Sequence, residues 1–280
     1  MNLLAQIIAW INVLANALGR FLLAPIAVLP GWLSNTIASA LMALLILILF
    51  KYISNQHAIQ QARDDIKANM LAMKLFKDSL SVIIRAPWGA FRGALLLLRH
   101  SIRPMLVGLV PMALLCSQLA LWYQRRPLRA GEYAVVTMKL NGGIDLPWPA
   151  VAMKSTSAAE LTIGPIPILS KREICWEIKA RGNGPGHLTF QVDDLQVEKE
   201  LAIGDGFMRV SVHRPGWHWL DILWHPGEKP FSADSAVQSI SIDYPERISW
   251  TSGADYWFVY FLVASIVFAL IFKPFLKVKI

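Results

Sequence analysis

The chain has 280 residues, of which more than half are apolar, and a formal net charge of +8. The apolar residues are concentrated in blocks, and a helix needs roughly 20 consecutive apolar residues to cross a bilayer. This distribution excludes an ordinary soluble domain and indicates a membrane protein in contact with the lipid bilayer. The positive charge is explained by membrane topology, so we expect no direct DNA binding.

Residues 1–30 form an apolar segment whose polar residues share one side of a helix. At about 100° per residue, these are Asn2, Gln6, Asn12, Asn16 and Arg20. The pattern predicts an amphipathic helix in the membrane interface, with apolar side chains turned towards lipid. A basic leading segment and a small-residue cleavage site are missing, which argues against a removed signal peptide. A fourth membrane span is the alternative.

Residues 31–53 are the first predicted span, which runs on into a charged helical arm. Good helix formers and apolar residues near helical spacing predict a helical hairpin, or coiled coil, over residues 54–102. Asp78 and Ser79 are expected to form its turn. Pro87 and Gly89 are expected to kink or break its second arm. The second span is predicted at residues 103–124.

Residues 130–250 alternate between short strand-like runs and turn residues. Runs such as EYAVVTMKL, EICWEIKA and HLTFQVDD are separated by NGG, GNGPG and IGDG. Strands at this spacing predict an immunoglobulin-like β-sandwich. The two cysteines, Cys116 and Cys175, lie in a predicted span and in this polar region, so we expect no disulfide. A third span at residues 254–273 and a tail at 274–280 complete the chain.

The predicted fold class is an α-helical membrane protein joined to an all-β immunoglobulin-like sandwich domain. Its helical part has three transmembrane helices, an N-terminal amphipathic helix and a cytoplasmic helical hairpin. Lys and Arg near span ends are retained in the cytoplasm. From Lys51 to Arg103 the chain has nine Lys and Arg residues and three Asp residues, and its C-terminal end adds Lys273, Lys277 and Lys279.

The region from 130 to 250 has eleven basic and fifteen acidic residues, which suits the opposite side of the membrane. This rule is broken by three basic residues just after the second span, Arg125, Arg126 and Arg129. The excess of Lys and Arg before the second span is larger, so it decides the orientation. We therefore expect a multi-pass protein of a prokaryotic cytoplasmic (inner) membrane. Its β-domain would be extracytoplasmic, and its hairpin and C-terminus cytoplasmic.

Motifs for catalysis are scarce. The chain has no glycine-rich phosphate loop, nucleophile elbow or His-Glu-x-x-His signature. His213, His218 and His225 lie close together in sequence, but their spacing matches no standard ligand pattern. We expect no catalytic residues, no metal and no cofactor, and hence no enzyme.

Polar residues in or beside the predicted spans are the more informative ones. Polar side chains are costly in hydrocarbon, so they tend to face other helices or a wet cavity. The candidates are Asn35, Lys51, Arg103, Ser117, Gln118 and Ser265. Two interpretations stay open. The first is helix-to-helix hydrogen bonding for the uncharged residues, with ordinary anchoring at span ends for Lys51 and Arg103. The second is a polar groove that opens to the cytoplasm and binds substrate.

The succession of elements resembles the YidC/Oxa superfamily of membrane protein insertases, in particular its three-span members. The segment LFKYISNQHAIQQARDDIK is similar to the passage from a core span into the coiled-coil arm of that family. The segment IRPMLVGLVPMALL is similar to the return from that arm into the next core span. The β-domain between the second and third spans departs from the family pattern. So does the first span, since its nearest basic residue, Lys51, is at its inner end.

The resemblance implies an insertase or chaperone that takes short hydrophobic segments into a partly polar groove and releases them into the bilayer. Its partners would be nascent membrane proteins and the ribosome, contacted on the hairpin through Lys67, Met70, Met73 and Lys74. Methionine suits surfaces that bind many apolar sequences, although ordinary helix packing also uses it. A receptor or scaffold is the alternative, in which the β-domain binds an extracytoplasmic protein partner.

Overall fold

The computed structural model describes residues 3–76, 79–143, 146–276 and 278. Within these residues the chain forms six α-helices and eight β-strands, which belong to two compact units. The first unit comprises Met1–Asn35 and Leu114–Tyr260. The second comprises Thr36–Ala113 and Phe261–Ile280.

Four of the described helices are long and apolar enough to cross a membrane, which indicates a multi-pass membrane protein. The helices are α1 Leu3–Leu22, α2 Gly31–Ile53, α3 Gln56–Leu75, α4 Leu80–Tyr123, α5 Trp219–Trp224 and α6 Trp257–Leu276. The four apolar ones are α1, α2, α4 and α6. The predicted spans 31–53 and 254–273 largely coincide with α2 and α6, and the predicted span 103–124 is the second half of α4. For α1, length and composition leave both the interfacial helix and the fourth span open.

In the second unit, α3 and α4 pack closely against each other. The side chain of Asn55 caps α3 by accepting a hydrogen bond from the Ala58 N–H at 3.1 Å. A Cβ atom added at Gly93 would lie 2.8 Å from Ile66 Cγ1 and 3.3 Å from the Ala62 carbonyl oxygen. Ile59 and Ala62 are buried. Glycine at position 93 therefore permits the close approach of two helices that follow each other in the chain.

A kink or a break was expected at Pro87 and Gly89, and a break is not observed, because α4 continues through Pro87, Pro104 and Pro111 as one 44-residue helix. The kink stays a prediction. Helices in proteins owe most of their stability to tertiary packing, which here includes the contacts of α3 with α4 beside Gly93. The predicted border between hairpin and second span thus lies inside a single helix. Asp78 of the expected turn, and Lys277 and Lys279 of the tail, lie outside the described residues.

The β region of the first unit consists of two antiparallel sheets. Its strands are β1 Tyr133–Leu140, β2 Val151–Lys154, β3 Ala159–Ile168, β4 Glu173–Ala180, β5 Gly184–Val192, β6 Leu195–Ile203, β7 His213–Arg214 and β8 Val237–Ile242. The strand order is β3-β4-β1-β8-β7 in one sheet and β2-β5-β6 in the other. The predicted β-domain is therefore present as a two-sheet region, while its immunoglobulin-like class stays a prediction.

One hydrophobic core holds the two sheets together. Every second residue of β4 is buried, including Trp176, and the same alternation occurs in β1. The Trp176 ring lies 5.2 Å from the Phe190 ring of β5, between centroids. Because side chains alternate between the two faces of a strand, one face of β1 and of β4 lies in this core. The alternation of apolar and polar residues in the sequence therefore predicted these strands.

We expect Phe190→Ala to lower the free energy of unfolding of the β region by about 3–5 kcal/mol, because it removes a fully buried ring and leaves a cavity. Hydrogen exchange of β1 and β4 peptides in the full chain in detergent micelles measures this loss. Leu195→Ala, at a side chain that is 68% exposed, is the matched control and should change it by no more than about 0.5 kcal/mol. Equal exchange in both variants would contradict the assigned core.

Candidate functional site

The polar side of α1 is bound to the β region of the first unit. Asn12 Nδ2 donates to the Ile222 carbonyl oxygen at 2.6 Å. Asn16 Nδ2 donates to the Pro226 carbonyl oxygen at 2.5 Å. One turn further on, Arg20 forms an ion pair with Glu200 at 2.9 Å, largely exposed to solvent. Asn12, Asn16 and Arg20 therefore bind α1 to the β region, and we call this set of contacts the seat of α1. Gln6, of the same predicted polar side, is exposed. The large apolar side chains of the helix are exposed as well: Leu3, Ile7, Trp10, Leu14 and Phe21.

Asn16 is the centre of this seat. Its Oδ1 accepts hydrogen bonds from Gln118 Nε2 of α4 and from Arg209 Nη2, both at 2.9 Å. Arg209 also donates to the Gly227 carbonyl oxygen at 2.6 Å. A single amide thus joins α1, α4 and the segment that follows α5, using both its donor and its acceptor.

A buried ion pair supports the same segment from the side of β6. The Lys199 side chain is fully buried, and its Nζ donates to Glu228 Oε1 at 2.5 Å and to the Ser211 carbonyl oxygen at 2.6 Å. Glu228 Oε2 accepts from the Glu200 N–H at 3.0 Å. Burial lowers the pKa of the Lys199 ammonium, and the Glu228 carboxylate opposes that shift. The ammonium and the carboxylate compensate each other's charge and are both hydrogen-bonded further, so the pair fixes the position of Glu228. Glu228 is two residues from Pro226, whose carbonyl group binds α1.

The candidate groove residues of the first unit are Asn35, Ser117 and Gln118. Asn35 is fully buried at the start of α2, and its Nδ2 donates to the carbonyl oxygens of Thr251 at 2.6 Å and Trp257 at 3.0 Å. Ser117 is half-buried and donates to the Leu114 carbonyl oxygen of its own helix at 2.8 Å. Gln118 is buried and contacts Asn16 as described. Asn35 and Gln118 therefore join separate elements of this unit.

The candidate groove residues of the second unit are Lys51, Arg103 and Ser265. Lys51 is exposed near the end of α2, with its Nζ 6.0 Å from the centre of the Tyr52 ring, and Arg103 is exposed on α4. Ser265 Oγ of α6 donates to the Ser39 carbonyl oxygen of α2 at 3.3 Å. The hydrogen bonds of Asn35, Gln118 and Ser265 are those of helix packing, and a role in substrate binding stays a prediction for all six residues.

The hairpin residues are largely accessible. Lys67, Met70 and Lys74 are exposed, with Met70 at 59%, while Met73 is half-buried. Large apolar side chains around them are exposed as well: Leu71, Leu75 and Phe76 of the first arm, and Ile84, Trp88 and Phe91 of the second. The rings of Trp88 and Phe91 stack with centroids 5.7 Å apart. We call these six residues together with Met70 the hairpin apolar surface.

Two of the three histidines considered in the sequence come together with an aspartate. His213 Nε2 lies 3.2 Å from Asp221 Oδ1, and His225 Nδ1 lies 2.9 Å from the same oxygen. His218 is exposed beside Trp219. Asp221 of α5 and His225, the residue that follows this helix, are four residues apart, a helical spacing that could have drawn attention to the pair in the sequence.

The electrostatics of this group are dominated by the carboxylate. Burial favours a neutral Asp221, but hydrogen bonds from His213, His225 and the Gly216 N–H outweigh burial and hold the pKa of Asp221 well below its usual range. The Gly216 N–H lies 2.9 Å from Asp221 Oδ2. The aspartate is therefore an ionised acceptor with both oxygens engaged.

Comparison of the chain with known protein families, with characterised proteins and with solved structures gives no match.

We expect Asn16→Leu to loosen the seat of α1, because the change removes three hydrogen bonds and leaves buried donors without their acceptor. The penalty for such donors is about 1–3 kcal/mol, so hydrogen exchange of residues 222–228 should accelerate by about tenfold. Leu14→Ala, at an exposed position of the same helix, is the control and should leave the exchange unchanged. Equal rates in the two variants would show that the polar contacts of α1 do not stabilise this segment.

Proposed function

We propose that the chain is an insertase or chaperone for membrane proteins, of the YidC/Oxa type. The observation that carries the proposal is α4, in which the second arm of the hairpin, with Ile84, Trp88 and Phe91, continues without a break into the predicted span at residues 103–124. The stretch of α4 that is apolar and long enough to cross a membrane begins at Ile84. A client bound on the arm would be held by the same helix that enters the membrane. The proposal needs no bond-making residue and no cofactor.

The proposed topology has α2, α4 and α6 as the three spans and α1 in the membrane interface. The exposed apolar side of α1 supports this placement, since its polar side is occupied by the β region. The β region would be an immunoglobulin-like sandwich on the extracytoplasmic side of a prokaryotic inner membrane. The hairpin and the C-terminus would be cytoplasmic, as the excess of Lys and Arg between the spans favours.

The hairpin apolar surface is suited to hydrophobic clients. Contiguous exposed apolar side chains mark sites that bind proteins or membranes, and we propose that the hairpin apolar surface forms such a patch. Here they lie on helices that also carry Lys67 and Lys74, both exposed. Met70 adds a flexible, polarizable side chain that adapts to different apolar sequences. The basic residues would attract ribosomal RNA or acidic flanks of nascent membrane proteins.

The physical task of an insertase is to lower the barrier that polar flanks of a client meet in hydrocarbon. Transfer of an unpaired amide or hydroxyl group into an apolar medium costs roughly 2–7 kcal/mol. In our proposal Lys51 and Arg103 receive acidic flanks, while Asn35, Ser117, Gln118 and Ser265 each offer polar groups to the client. The hydrogen bonds that these four residues make within the protein would have to exchange with those of the client.

Photo-crosslinking in living cells tests the proposal. A photoreactive amino acid is placed at Met70 or Phe91, both on the hairpin apolar surface. Matched control positions are Gln61, an exposed polar residue of the same hairpin, and Leu195, an exposed apolar residue of the β region. We expect Met70 and Phe91 to crosslink newly made membrane proteins, and the controls to do so much less, because apolar contact selects the client.

A single stable partner that crosslinks only from Leu195 would favour the alternative of a receptor or scaffold. Equal client crosslinking from Gln61 and Met70 would contradict selection by the apolar surface.

We expect the double variant Lys51→Glu with Arg103→Glu to lower insertion of a client with an acidic flank by about fivefold or more, since one unit charge at contact distance in water is worth about 1 kcal/mol. Protease protection of the client in cells measures this. Lys139→Glu with Lys154→Glu, at exposed positions of the β region, makes the same change in net charge and should have no effect. Unchanged insertion in the first variant would exclude the electrostatic role.

A further inference from the structure

We propose that His213, Asp221 and His225 bind a zinc ion. The three side chains come from two elements, β7 and α5 with the residue that follows it, and each offers one ligand atom to a common point. Imidazole nitrogens and a carboxylate oxygen are ordinary zinc ligands. This inference is independent of the proposed insertase function.

The distances fit tetrahedral coordination. Zinc holds nitrogen and oxygen ligands at about 2.0–2.2 Å, which places neighbouring ligand atoms about 3.3 Å apart in a tetrahedron. Asp221 Oδ1 is 3.2 Å from His213 Nε2 and 2.9 Å from His225 Nδ1. All three ligand atoms lie within 4.8 Å of one another. The two distances from the aspartate to the histidines are therefore within a few tenths of an ångström of the tetrahedral separation.

The surroundings hold the ligands in place. The Gly216 N–H donates to Asp221 Oδ2 and so orients the carboxylate. Hydrogen bonds of this kind to metal ligands fix ligand orientation. His225 Nδ1 lies near Oδ1, and His213 Nε2 lies near both oxygens, 3.2 Å from Oδ1 and 3.3 Å from Oδ2. His213 pairs with Ser241 of β8, and His225 follows α5 with its N–H bonded to the Asp221 carbonyl oxygen at 2.9 Å. Two imidazoles beside one carboxylate also fit a group that is held by hydrogen bonds alone. Zinc binding distinguishes a metal site from such a group.

Three protein ligands leave the fourth coordination position to water. The side chains of Asp221 and His225 are 28% and 42% exposed, so solvent reaches the site. The ion would fasten α5 to β7, and α5 and the residues after it supply the carbonyl groups of Ile222 and Pro226 that receive Asn12 and Asn16 of α1. Zinc would thus stabilise the seat of α1.

Zinc titration of the full-length protein tests the site. The purified chain in detergent micelles is stripped of metal with a chelator, and binding of Zn²⁺ is measured by calorimetry and by elemental analysis. We expect one zinc ion per chain. His225→Ala and Asp221→Asn should each weaken binding by about 100-fold or more, since even changes outside the ligand shell cost 10–100-fold. His218→Ala, at the exposed neighbouring histidine, is the matched control and should bind as the unaltered chain does.

Two further measurements distinguish the loss of a zinc ligand from the failure of a variant to fold. Co²⁺ in place of zinc should give the intense visible absorption of a four-coordinate ion in the unaltered chain and in His218→Ala, but not in His225→Ala. Zinc should slow hydrogen exchange of residues 216–228 in the same two proteins, while exchange of β1 and β4 stays the same in all variants. Absence of zinc binding to the unaltered chain, or equal binding in His225→Ala, would overturn the proposal and leave a hydrogen-bonded group.

Discussion

An amide side chain in an apolar environment must find a hydrogen-bond partner, because leaving it without one costs several kcal/mol. The first unit meets this constraint repeatedly. Asn12, Asn16 and Asn35 all donate to backbone carbonyl groups, and Gln118 donates to Asn16. These bonds join α1, the start of α2, the end of α4 and the segments around α5 and the start of α6. Polar residues of apolar helices thus specify which segments meet, and the apolar sides of the helices remain available to lipid.

The two units differ in how many of their polar and apolar side chains are free to bind a client in the proposed function. In the first unit the polar groups are engaged with one another and with the β region, down to the buried pair of Lys199 and Glu228. In the second unit Lys51, Arg103 and the hairpin apolar surface are exposed. An insertase requires surfaces that exchange partners, so we expect a client to bind first at the exposed residues of the second unit. Asn35, Ser117 and Gln118 of the first unit would bind it only after their present hydrogen bonds exchange.

The sequence predicted well those features that depend on a local period. The long apolar helices and the strands follow directly from hydrophobic blocks and from alternation, and Asn12, Asn16 and Arg20 were correctly placed on one side of α1. The sequence could not show what that side contacts, because Ile222 and Pro226 take part through backbone carbonyls that carry no side-chain signal. The continuity of α4 through Pro87 and the contact of His213 with Asp221 also depend on tertiary packing. Residue spacing in the sequence therefore predicts neither feature.

Reconstitution tests the central claim most directly. Purified chain in liposomes would be supplied with a newly synthesised single-span protein bearing a short translocated flank, and the protease-protected fraction would be compared with that in liposomes lacking the chain. Our account predicts a clear increase in protected client, because the chain lowers the barrier that polar flanks meet in hydrocarbon. Equal protection in the two preparations would contradict it.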